Sequence, residues 1–379
     1  MAMIDKIIIN NFKSHKNTEL DLSYLNIFTG VNGVGKSSIL QSLLLLKQSF
    51  EKRYLESGLE LNKPYCEIGF ASDALYQYAE EEFISISLFS DEKSFIWNFH
   101  PMKLNKTFIP IHGMPPLNYN TLNIFSNDFQ YLSAARLSPQ ESYPTDTLLV
   151  ETKKQLSIEK GQGELTPHFL YYWGKEQKLQ VEFENMLHDE NIDKDLFSQV
   201  IAWEREISPN VNIVVSPSDK SYSLKYSYNK PGDITSTEEF NAENVGFGLS
   251  YALPIIVALL SAKKGGVILL ENPEAHLHPK GQSKLAELIA LAAQNGIQIF
   301  LETHSDHIIN GILIASKKFE EIRKGIDKKY ISIYHFERDD KTHSSLGIRI
   351  NVLEGGKIDH QPEGFFDQID NDLKFILGF

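Results

Sequence analysis

The sequence predicts an α/β fold, and three observations support this prediction. A glycine-rich run, GVNGVGKSS at residues 30–38, lies between a short apolar stretch and a stretch with leucines at helical spacing. Two later apolar runs, at residues 267–270 and 297–301, each end in acidic residues. Residues 65–130 alternate polar with apolar and aromatic side chains, which is typical of antiparallel strands. We therefore expect a helix-covered sheet with an antiparallel β-lobe beside it.

The glycine-rich run has the features of a phosphate-binding loop at a strand-to-helix turn. Glycines let successive N–H groups and the helix N-terminus face a polyphosphate. In such a loop the lysine, here Lys36, reaches the β- and γ-phosphates, and the hydroxyl of Ser37 can ligate Mg²⁺. The alternative is a chance surface turn, but the flanking strand and helix favour a nucleotide site.

The composition excludes several other classes of protein. The chain has 379 residues, a formal charge of −13 and one cysteine, Cys66, which excludes a disulfide framework and a multi-cysteine metal site. The acidic balance argues against tight DNA binding by the whole surface. Neither a leader nor a bilayer-spanning run stands out, so we expect a cytoplasmic protein with no membrane partner.

The run at residues 267–270 predicts a buried strand, which we expect beside the strand that precedes the phosphate loop. In phosphate-loop ATPases such a strand delivers a carboxylate to the Mg²⁺ shell and a second group that polarises the attacking water. Glu271 fits the first role, and Asn272 or Glu274 has to supply the second. A buried strand with an acidic turn is the alternative without chemistry.

The run at residues 297–301 predicts a third strand of the nucleotide site. A polar cluster follows it: Glu302, Thr303, His304 and Asp306. From this cluster, we expect His304 to be able to touch the γ-phosphate. Zinc is the alternative for the histidines, but neither HExxH spacing nor a matching second cluster supports it. We expect His276 and His278 to shape the turn after the acidic strand instead.

A small-residue turn, NVGFGLS at residues 244–250, precedes a helix predicted from about Ser250 to Ala262. Asn244, Gly246 and Gly248 open this turn, and the helix N-terminus would be a second anion site. The alternative is a simple capped, buried helix, because serine caps and glycine turns are common.

Taken in order, these motifs resemble those of the ABC-type AAA ATPases of the structural-maintenance, RecF and OLD kind. The resemblance rests on INNFKSHKNTEL, GVNGVGKSS, NVGFGLS, ILLENPEAHLHP and LETHSDHI. The C-terminal GIRINVLEGGKIDHQPEGFFDQIDNDL resembles a domain of unknown function found on a bacterial group of these ATPases, often in phage-defence loci. Only residues 65–240 are weakly covered.

The resemblance implies an ABC/SMC-type P-loop ATPase head with an antiparallel β-lobe and an inserted helical arm or lid. It divides the chain into four parts: an N-terminal ATPase half at 1–150, the inserted arm at 151–240, a C-terminal ATPase half at 241–335 and a family tail at 336–379. Two copies would sandwich ATP, so we expect a homodimer or a higher oligomer.

The resemblance also implies which residues contact ATP and Mg²⁺. On one subunit they are Lys13, Ser14, Asn32, Gly33, Val34, Gly35, Lys36, Ser37 and Ser38; from the facing subunit they are Asn244, Gly246, Gly248 and Ser250. It makes Ser37 and Glu271 the metal ligands and His304 the switch histidine. For Lys13, a solvated loop lysine is an equal alternative.

Two departures from the family pattern bear on catalysis. Most relatives read Asp-Glu before the proline, whereas this chain has Glu271 and Asn272. An amide can orient a water molecule but cannot take its proton, so either Glu274 acts as the base or turnover is slow. We favour slow turnover with Glu274 assisting. The small-residue turn also lacks the usual Leu-Ser-Gly-Gly order.

The leading hypothesis is an ATP-gated switch of bacterial defence whose dimerisation controls a partner effector, a nuclease encoded nearby. The alternative is a stand-alone RecF-like repair ATPase that binds DNA, against which the acidic inserted arm argues. Glu337, Asp339 and Asp340 suggest a nuclease site within the chain, but a hydrophilic hairpin turn explains them better.

Overall fold

The computed structural model describes residues 1–230, 236–365 and 368–377, in which the strands form four sheets. The strands are β1 (Lys6–Phe12), β2 (His15–Asp21), β3 (Leu25–Gly30), β4 (Gly58–Glu60), β5 (Ile84–Ser90), β6 (Lys93–Phe99), β7 (Phe108–Pro110), β8 (Phe129–Leu132), β9 (Val211–Ser218), β10 (Ser221–Tyr228), β11 (Phe240–Asn241), β12 (Val267–Glu271), β13 (Gln298–Glu302), β14 (Ile331–Arg338) and β15 (Ser345–Ile350). The α-helices are α1 (Lys36–Glu51), α2 (Ala71–Ala74), α3 (Thr166–Phe169), α4 (Leu196–Ile207), α5 (Phe247–Ser261), α6 (Pro279–Gln294), α7 (Asp306–Ile322) and α8 (Gln368–Leu377). Two π-helical segments, Leu148–Thr152 and Leu170–Glu176, and several short 3₁₀ turns connect them.

The main sheet has six strands in the order β15-β14-β3-β13-β12-β8, and all neighbours pair in parallel except β14 and β15. Its central strands are mostly apolar because both faces are covered. In β12, for example, Ile268 and Leu270 pack into one core cluster, whereas Val267 and Leu269 pack into the other. The predicted α/β fold class is confirmed by this arrangement.

The order of strands corrects one prediction. We expected the acidic strand to lie directly beside the strand that precedes the phosphate loop. Instead β13 lies between β3 and β12 and pairs in parallel with both. As a result, the carboxyl end of β13, with Glu302, comes nearest to the phosphate loop, and Glu271 ends the next strand along.

An antiparallel lobe is present as the sheet β2-β1-β5-β6. Only β5 and β6 lie in the predicted residues 65–130; β1 and β2 precede the phosphate loop, and β7 pairs with β4 in a separate sheet. One face of the sheet β2-β1-β5-β6 shares an apolar cluster with α1 and with one face of the main sheet. Trp97 of β6 and Phe99 are fully buried in this cluster. The lobe thereby holds α1, and with it the phosphate loop, against the main sheet.

The segment predicted as an inserted arm packs on the opposite face of the main sheet. Its helix α4 lies against α5 and α6. Its hairpin β9-β10 contributes Ile213 and Tyr226 to the core cluster on this face, which also contains Ile268 and Leu270 of β12. Residues 231–235 of this segment lie outside the described residues. The segment therefore supports the helix that follows the small-residue turn.

The acidic cluster near the C-terminus belongs to a hairpin, as the sequence favoured. Asp339 lies in the turn between β14 and β15, and its carboxylate accepts hydrogen bonds from the backbone N–H groups of Lys341 and Thr342 at 2.7 and 3.0 Å. In the PxGFFDQ part of the tail, residues 366–367 lie outside the described residues.

Within the described ranges, none of the helices combines the length and apolar character needed to cross a bilayer.

Candidate functional site

A cavity of about 440 Å³ lies over the phosphate loop at the carboxyl end of the main sheet. Its lining residues are Lys13, Ser14, Asn32, Gly33, Gly35, Lys36, Ser37, Ser38, Gln41, Glu302 and His304. The structure thus brings together most of the residues predicted to contact the nucleotide, and His304 lies beside them. Val34 is the exception within the loop, because its side chain is buried in the apolar cluster beneath.

The loop has the backbone that its glycines allow. Gly33 and Gly35 take φ angles of 82° and 99°, in the left-handed region that glycine adopts without steric cost. The Lys36 ammonium donates hydrogen bonds to the carbonyl oxygens of Gly30 and Val31 at 3.0 and 2.7 Å. Burial lowers the pKa of Lys36, so an anion in the cavity would stabilise its charged form.

The loop is also held from the side by the C-terminal hairpin. A Cβ atom on Gly35 would lie 2.2 Å from the Ser345 hydroxyl and 2.5 Å from the Ser14 hydroxyl. Ser345 and Ser14 themselves are joined by a hydrogen bond of 2.7 Å between their hydroxyls. His15 Nε2 donates to the Gly35 carbonyl at 3.0 Å, since that oxygen can only accept. This close approach explains why the position needs glycine.

Lys13 lies at the edge of the cavity and is not a freely solvated lysine. Its ammonium donates to Gln41 Oε1 at 2.8 Å, and burial lowers its pKa. Of the two interpretations of Lys13, the position near the nucleotide is the one that this geometry favours.

Glu302, at the end of β13, is the acidic residue in direct contact with Ser37. The Ser37 hydroxyl donates to Glu302 Oε1 at 2.9 Å. Burial, with a further contribution from the nearby Glu271 carboxylate, raises the pKa of Glu302 to about 7. From the sequence, Glu302 was expected only as a member of a polar cluster. The feature that could have marked it as a candidate metal ligand is its place at the end of an apolar strand, as for Glu271.

Glu271 is held by the edge strand β8 and the residues that follow it. Its two carboxylate oxygens accept from the Tyr131 hydroxyl at 3.0 Å and the Ala134 N–H at 3.1 Å. Burial raises the pKa of Glu271. The structure therefore places Glu271 close enough to Glu302 to affect its charge, while Ser37 contacts Glu302.

The candidate bases follow β12. Glu274 accepts from the Thr303 hydroxyl and from the His304 N–H, both at 2.8 Å, and so ties the end of β12 to the end of β13. Asn272 has a left-handed φ of 43°, and its N–H donates to the Glu302 carbonyl at 2.8 Å. Burial and the Lys36 charge lower the pKa of His304, which favours the neutral imidazole.

The small-residue turn does not line the cavity. The helix that follows the turn, α5, starts earlier than predicted. Helix α5 begins at Phe247 instead of about Ser250, so Ser250 lies within the helix and is only 7% exposed. Asn244 and Gly246 are exposed, and Gly246 precedes the first helical residue. In this conformation the accessible part of the turn is Asn244 to Phe247, not Ser250.

The two histidines of the next turn have structural contacts. His278 caps α6, because its ring nitrogen accepts from the Lys280 N–H at 3.3 Å. His276 packs its ring 4.6 Å from that of Tyr251, on α5.

The residues fit a nucleotide with Mg²⁺. The Ser37 hydroxyl and the Glu302 carboxylate are hard oxygen ligands, and Glu302 Oε2 is buried with no hydrogen-bond partner among the described residues. Within the part of the chain that the structure describes, there is no group of three or more His, Cys, Asp or Glu side chains that could hold a metal ion without further ligands. A metal here would therefore need hydroxyl and phosphate oxygens as well.

Comparison with known protein families gives two matches. A family described as an AAA ATPase domain matches residues 3–69 and 67–309. A second family, described as a protein of unknown function (DUF3696), matches residues 326–375.

Two curated relatives align with the sequence. An OLD nuclease of Thermus scotoductus is 21% identical over 403 residues, which cover 94% of this chain and 68% of the relative. An uncharacterized protein of Methanocaldococcus jannaschii is 32% identical over 111 residues, which cover 27% of this chain and 96% of that protein.

Solved structures share the fold at low identity. An Smc head bound to the C-winged helix domain of ScpA superposes with a TM-score of 0.55 at 14% identity, over 92% of this chain and 98% of that one. An Smc head domain with an extended coiled coil, bound to the C-terminal domain of ScpA derived from Pyrococcus furiosus, gives a TM-score of 0.52 at 14% identity, with both chains covered completely. These likenesses show an SMC-head type of fold.

Proposed function

This chain belongs to the AAA ATPase domain family, and from that premise we propose that it is a slowly hydrolysing ATP switch. ATP would close two heads on each other, and closure would control a partner effector in bacterial anti-phage defence. The observation that carries the proposal is the cavity over the phosphate loop, where Lys36, Ser37 and Glu302 meet.

The proposal assigns a function to four residues of the cavity: Lys36, Ser37, Glu302 and His304. Lys36 exchanges its two backbone carbonyl partners for phosphate oxygens, and the loop N–H groups neutralise further charge. Ser37 with Glu302 or Glu271 would hold Mg²⁺, which when bound offsets the charge that develops on the phosphates. We expect His304, which lies between β13 and α7, to contact the γ-phosphate and to transmit that contact to α7.

Slow turnover follows from the groups beside the attacking position. Asn272 has no basic group, and both carboxylate oxygens of Glu274 already accept hydrogen bonds from Thr303 and His304. The ATP-bound state is therefore long-lived, which suits a switch better than a motor.

The proposed partner is a nuclease. The relative from Thermus scotoductus bears the name OLD nuclease, and the alignment covers 68% of it. In this chain, the acidic cluster that could suggest a nuclease site is a hairpin turn with its Asp339 carboxylate bonded to backbone N–H groups. We therefore assign DNA cleavage to a partner and ATP sensing to this chain.

Single-turnover and steady-state ATP hydrolysis by the purified chain, with and without double-stranded DNA, tests the proposal. We expect ATP binding with turnover below about 0.1 s⁻¹, under the usual range of enzymes, and no response to DNA. Lys36→Ala serves as the blank, because it removes the charge that compensates the phosphates.

Two results would count against this function. Turnover raised several-fold by DNA favours the stand-alone RecF-like repair ATPase. Cleavage of DNA by the chain alone, in Mg²⁺ or Mn²⁺, contradicts the assignment of the nuclease to a partner.

A further inference from the structure

Arg136 is a buried arginine that lies between the end of β12 and helix α5. It follows β8 in the chain and is 3% exposed. Its Nη1 donates to the carbonyl oxygens of Ser133 and Glu271 at 2.7 and 2.8 Å, and its Nη2 donates to that of Asn272 at 2.7 Å. Arginine suits this contact because its donors form a rigid planar fork, so that two nitrogens of one guanidinium reach separate carbonyls.

These bonds determine the path of the backbone after β12. The carbonyls of Glu271 and Asn272 are consecutive, and in a straight strand they would point to opposite sides. Both reach one guanidinium because Asn272 takes the left-handed φ of 43°, while its N–H stays bonded to the Glu302 carbonyl. Arg136 thereby sets the direction of the chain that leads to Glu274.

The same segment also holds the Glu271 side chain. Tyr131 and Ala134, which precede Arg136, donate to the two carboxylate oxygens of Glu271. Backbone and side chain at the end of β12 are thus both fixed by residues 131–136. Burial lowers the pKa of Arg136 to about 10, which still leaves the guanidinium charged at neutral pH.

The guanidinium also contacts the helix that follows the small-residue turn. Its central carbon lies 5.5 Å from the centroid of the Tyr251 ring, within the range of a cation–π interaction. Tyr251 is on the second turn of α5, and its ring packs against His276. The start of α5 and the turn after β12 therefore share Arg136 as a common support.

We propose that Arg136 is a positioning residue that couples the start of α5 to the turn carrying Asn272 and Glu274. A shift of α5, such as contact with a second head would cause, moves Tyr251 and through Arg136 the groups beside the attacking water. The consequence for catalysis rests on the proposed ATPase function, whereas the coupling itself does not.

Hydrogen–deuterium exchange of the nucleotide-free full chain tests the coupling without any need for turnover. Tyr251→Leu removes the ring under the guanidinium, and Tyr251→Phe keeps it. We expect Tyr251→Leu to raise amide exchange several-fold at residues 270–272, where Arg136 holds the Glu271 and Asn272 carbonyls, as well as in α5, with Tyr251→Phe close to wild type. Exchange that rises in α5 alone overturns the proposal.

Kinetics of Arg136→Lys test the consequence for catalysis. A lysine reaches fewer carbonyls, so we expect kcat to fall about tenfold with KM for ATP within about twofold, because the phosphate loop is untouched. The matched control is Arg205→Lys, a half-buried arginine of α4 that also donates to a backbone carbonyl, Val211, at 3.0 Å.

The outcomes separate the two proposals. Equal effects of Arg136→Lys and Arg205→Lys on kcat, in folded variants, overturn the positioning role. Absence of ATP turnover in the wild type counts against the ATPase function, and the exchange experiment still decides whether Arg136 couples α5 to β12.

Discussion

Among the residues of the phosphate cavity, Glu302 has an unusual environment. Its carboxylate is buried beside Glu271, and one oxygen accepts from the Ser37 hydroxyl while the other has no partner among the described residues. Two neighbouring carboxylates in a partly buried site repel each other when both are ionised. A cation between the phosphates and Ser37 would relieve this repulsion, which is the physical reason for expecting Glu302 to be a metal ligand.

Glu302→Gln and Glu271→Gln therefore distinguish the two candidate ligands. We expect Glu302→Gln to raise the Mg²⁺ concentration for half-maximal ATP hydrolysis by at least about tenfold. Glu271→Gln should change it less, because Glu271 retains hydrogen bonds to Tyr131 and Ala134. A Mg²⁺ titration of turnover measures both, and the opposite order would restore Glu271 as the main ligand.

Asn272→Ala and Glu274→Gln identify the group that acts on the water. If Glu274 assists as a base, Glu274→Gln lowers turnover by about 10²-fold and leaves ATP-driven association intact. Asn272→Ala removes only an orienting amide and should cost less. Single-turnover rates compare the two variants, and a larger loss in Asn272→Ala reassigns the role to the amide.

His15 makes stability depend on pH. Burial lowers its pKa to about 4 from 6.5, so the folded chain keeps it neutral while the unfolded chain protonates it. Stability is therefore lost as pH falls from about 6.5 to about 4, by up to roughly 3 kcal/mol from this group. Urea unfolding at several pH values should show a shallower loss in His15→Gln.

The matched control for His15 is His112→Gln, at an exposed position. It should retain the wild-type slope of unfolding free energy against pH. A wild-type slope in His15→Gln would mean that other groups cause the acid sensitivity.

Between elements, the packing of α6 on α7 depends on a glycine. A Cβ atom on Gly311 would lie 2.7 Å from Ala286 Cβ and 3.0 Å from the Ser283 carbonyl oxygen. The two helices can approach this closely only because position 311 has no side chain. Their contact holds the N-terminal half of α7, which follows His304, against α6.

Gly311→Val should therefore destabilise the protein by about 1–3 kcal/mol through overpacking. Ile314→Ala, on the same helix at a position 51% exposed, should change the unfolding free energy by less than about 1 kcal/mol. Urea unfolding of both variants checks the expectation. Equal stabilities would show that α6 and α7 can separate at little cost.

At the scale of the whole molecule, the exposed start of α5 is the surface proposed to meet a second head. Ser250 is unsuited to test this because an arginine there would enter the core. Gly246 is exposed, and a Cβ atom on it would meet nothing within 4 Å. Gly246→Arg therefore adds bulk and charge without disturbing the monomer.

We expect Gly246→Arg to abolish ATP-dependent self-association while the melting temperature of the monomer stays within about 2 °C of wild type. Light scattering with and without ATP measures the association. As a control, Ile96→Arg places the same side chain on the β-lobe at a position 45% exposed. Dimers that survive Gly246→Arg would place the contact elsewhere.

The sequence by itself determined the local parts of this protein. Glycine spacing, apolar runs and the polar residues that end them are short-range signals, and they predicted β3, α1, β12 and β13 together with the loop residues that line the phosphate cavity. Lys13 and Ser14 were implied only by the resemblance to known ATPases, and Gln41 was not predicted. The α/β class and the antiparallel lobe follow from the same patterns, because alternation and helical spacing record how many faces of an element are buried.

Only the tertiary structure decided which of these parts meet. The position of β13 between β3 and β12 depends on which strands pair, and the sequence of a single strand does not specify its partner. This position brings Glu302 to Ser37. Burial of Ser250 depends on where α5 begins, and the contacts of Arg136 depend on a loop that reaches both the end of β12 and α5. Contacts between residues distant in sequence are set by packing, and a local pattern does not encode its partner.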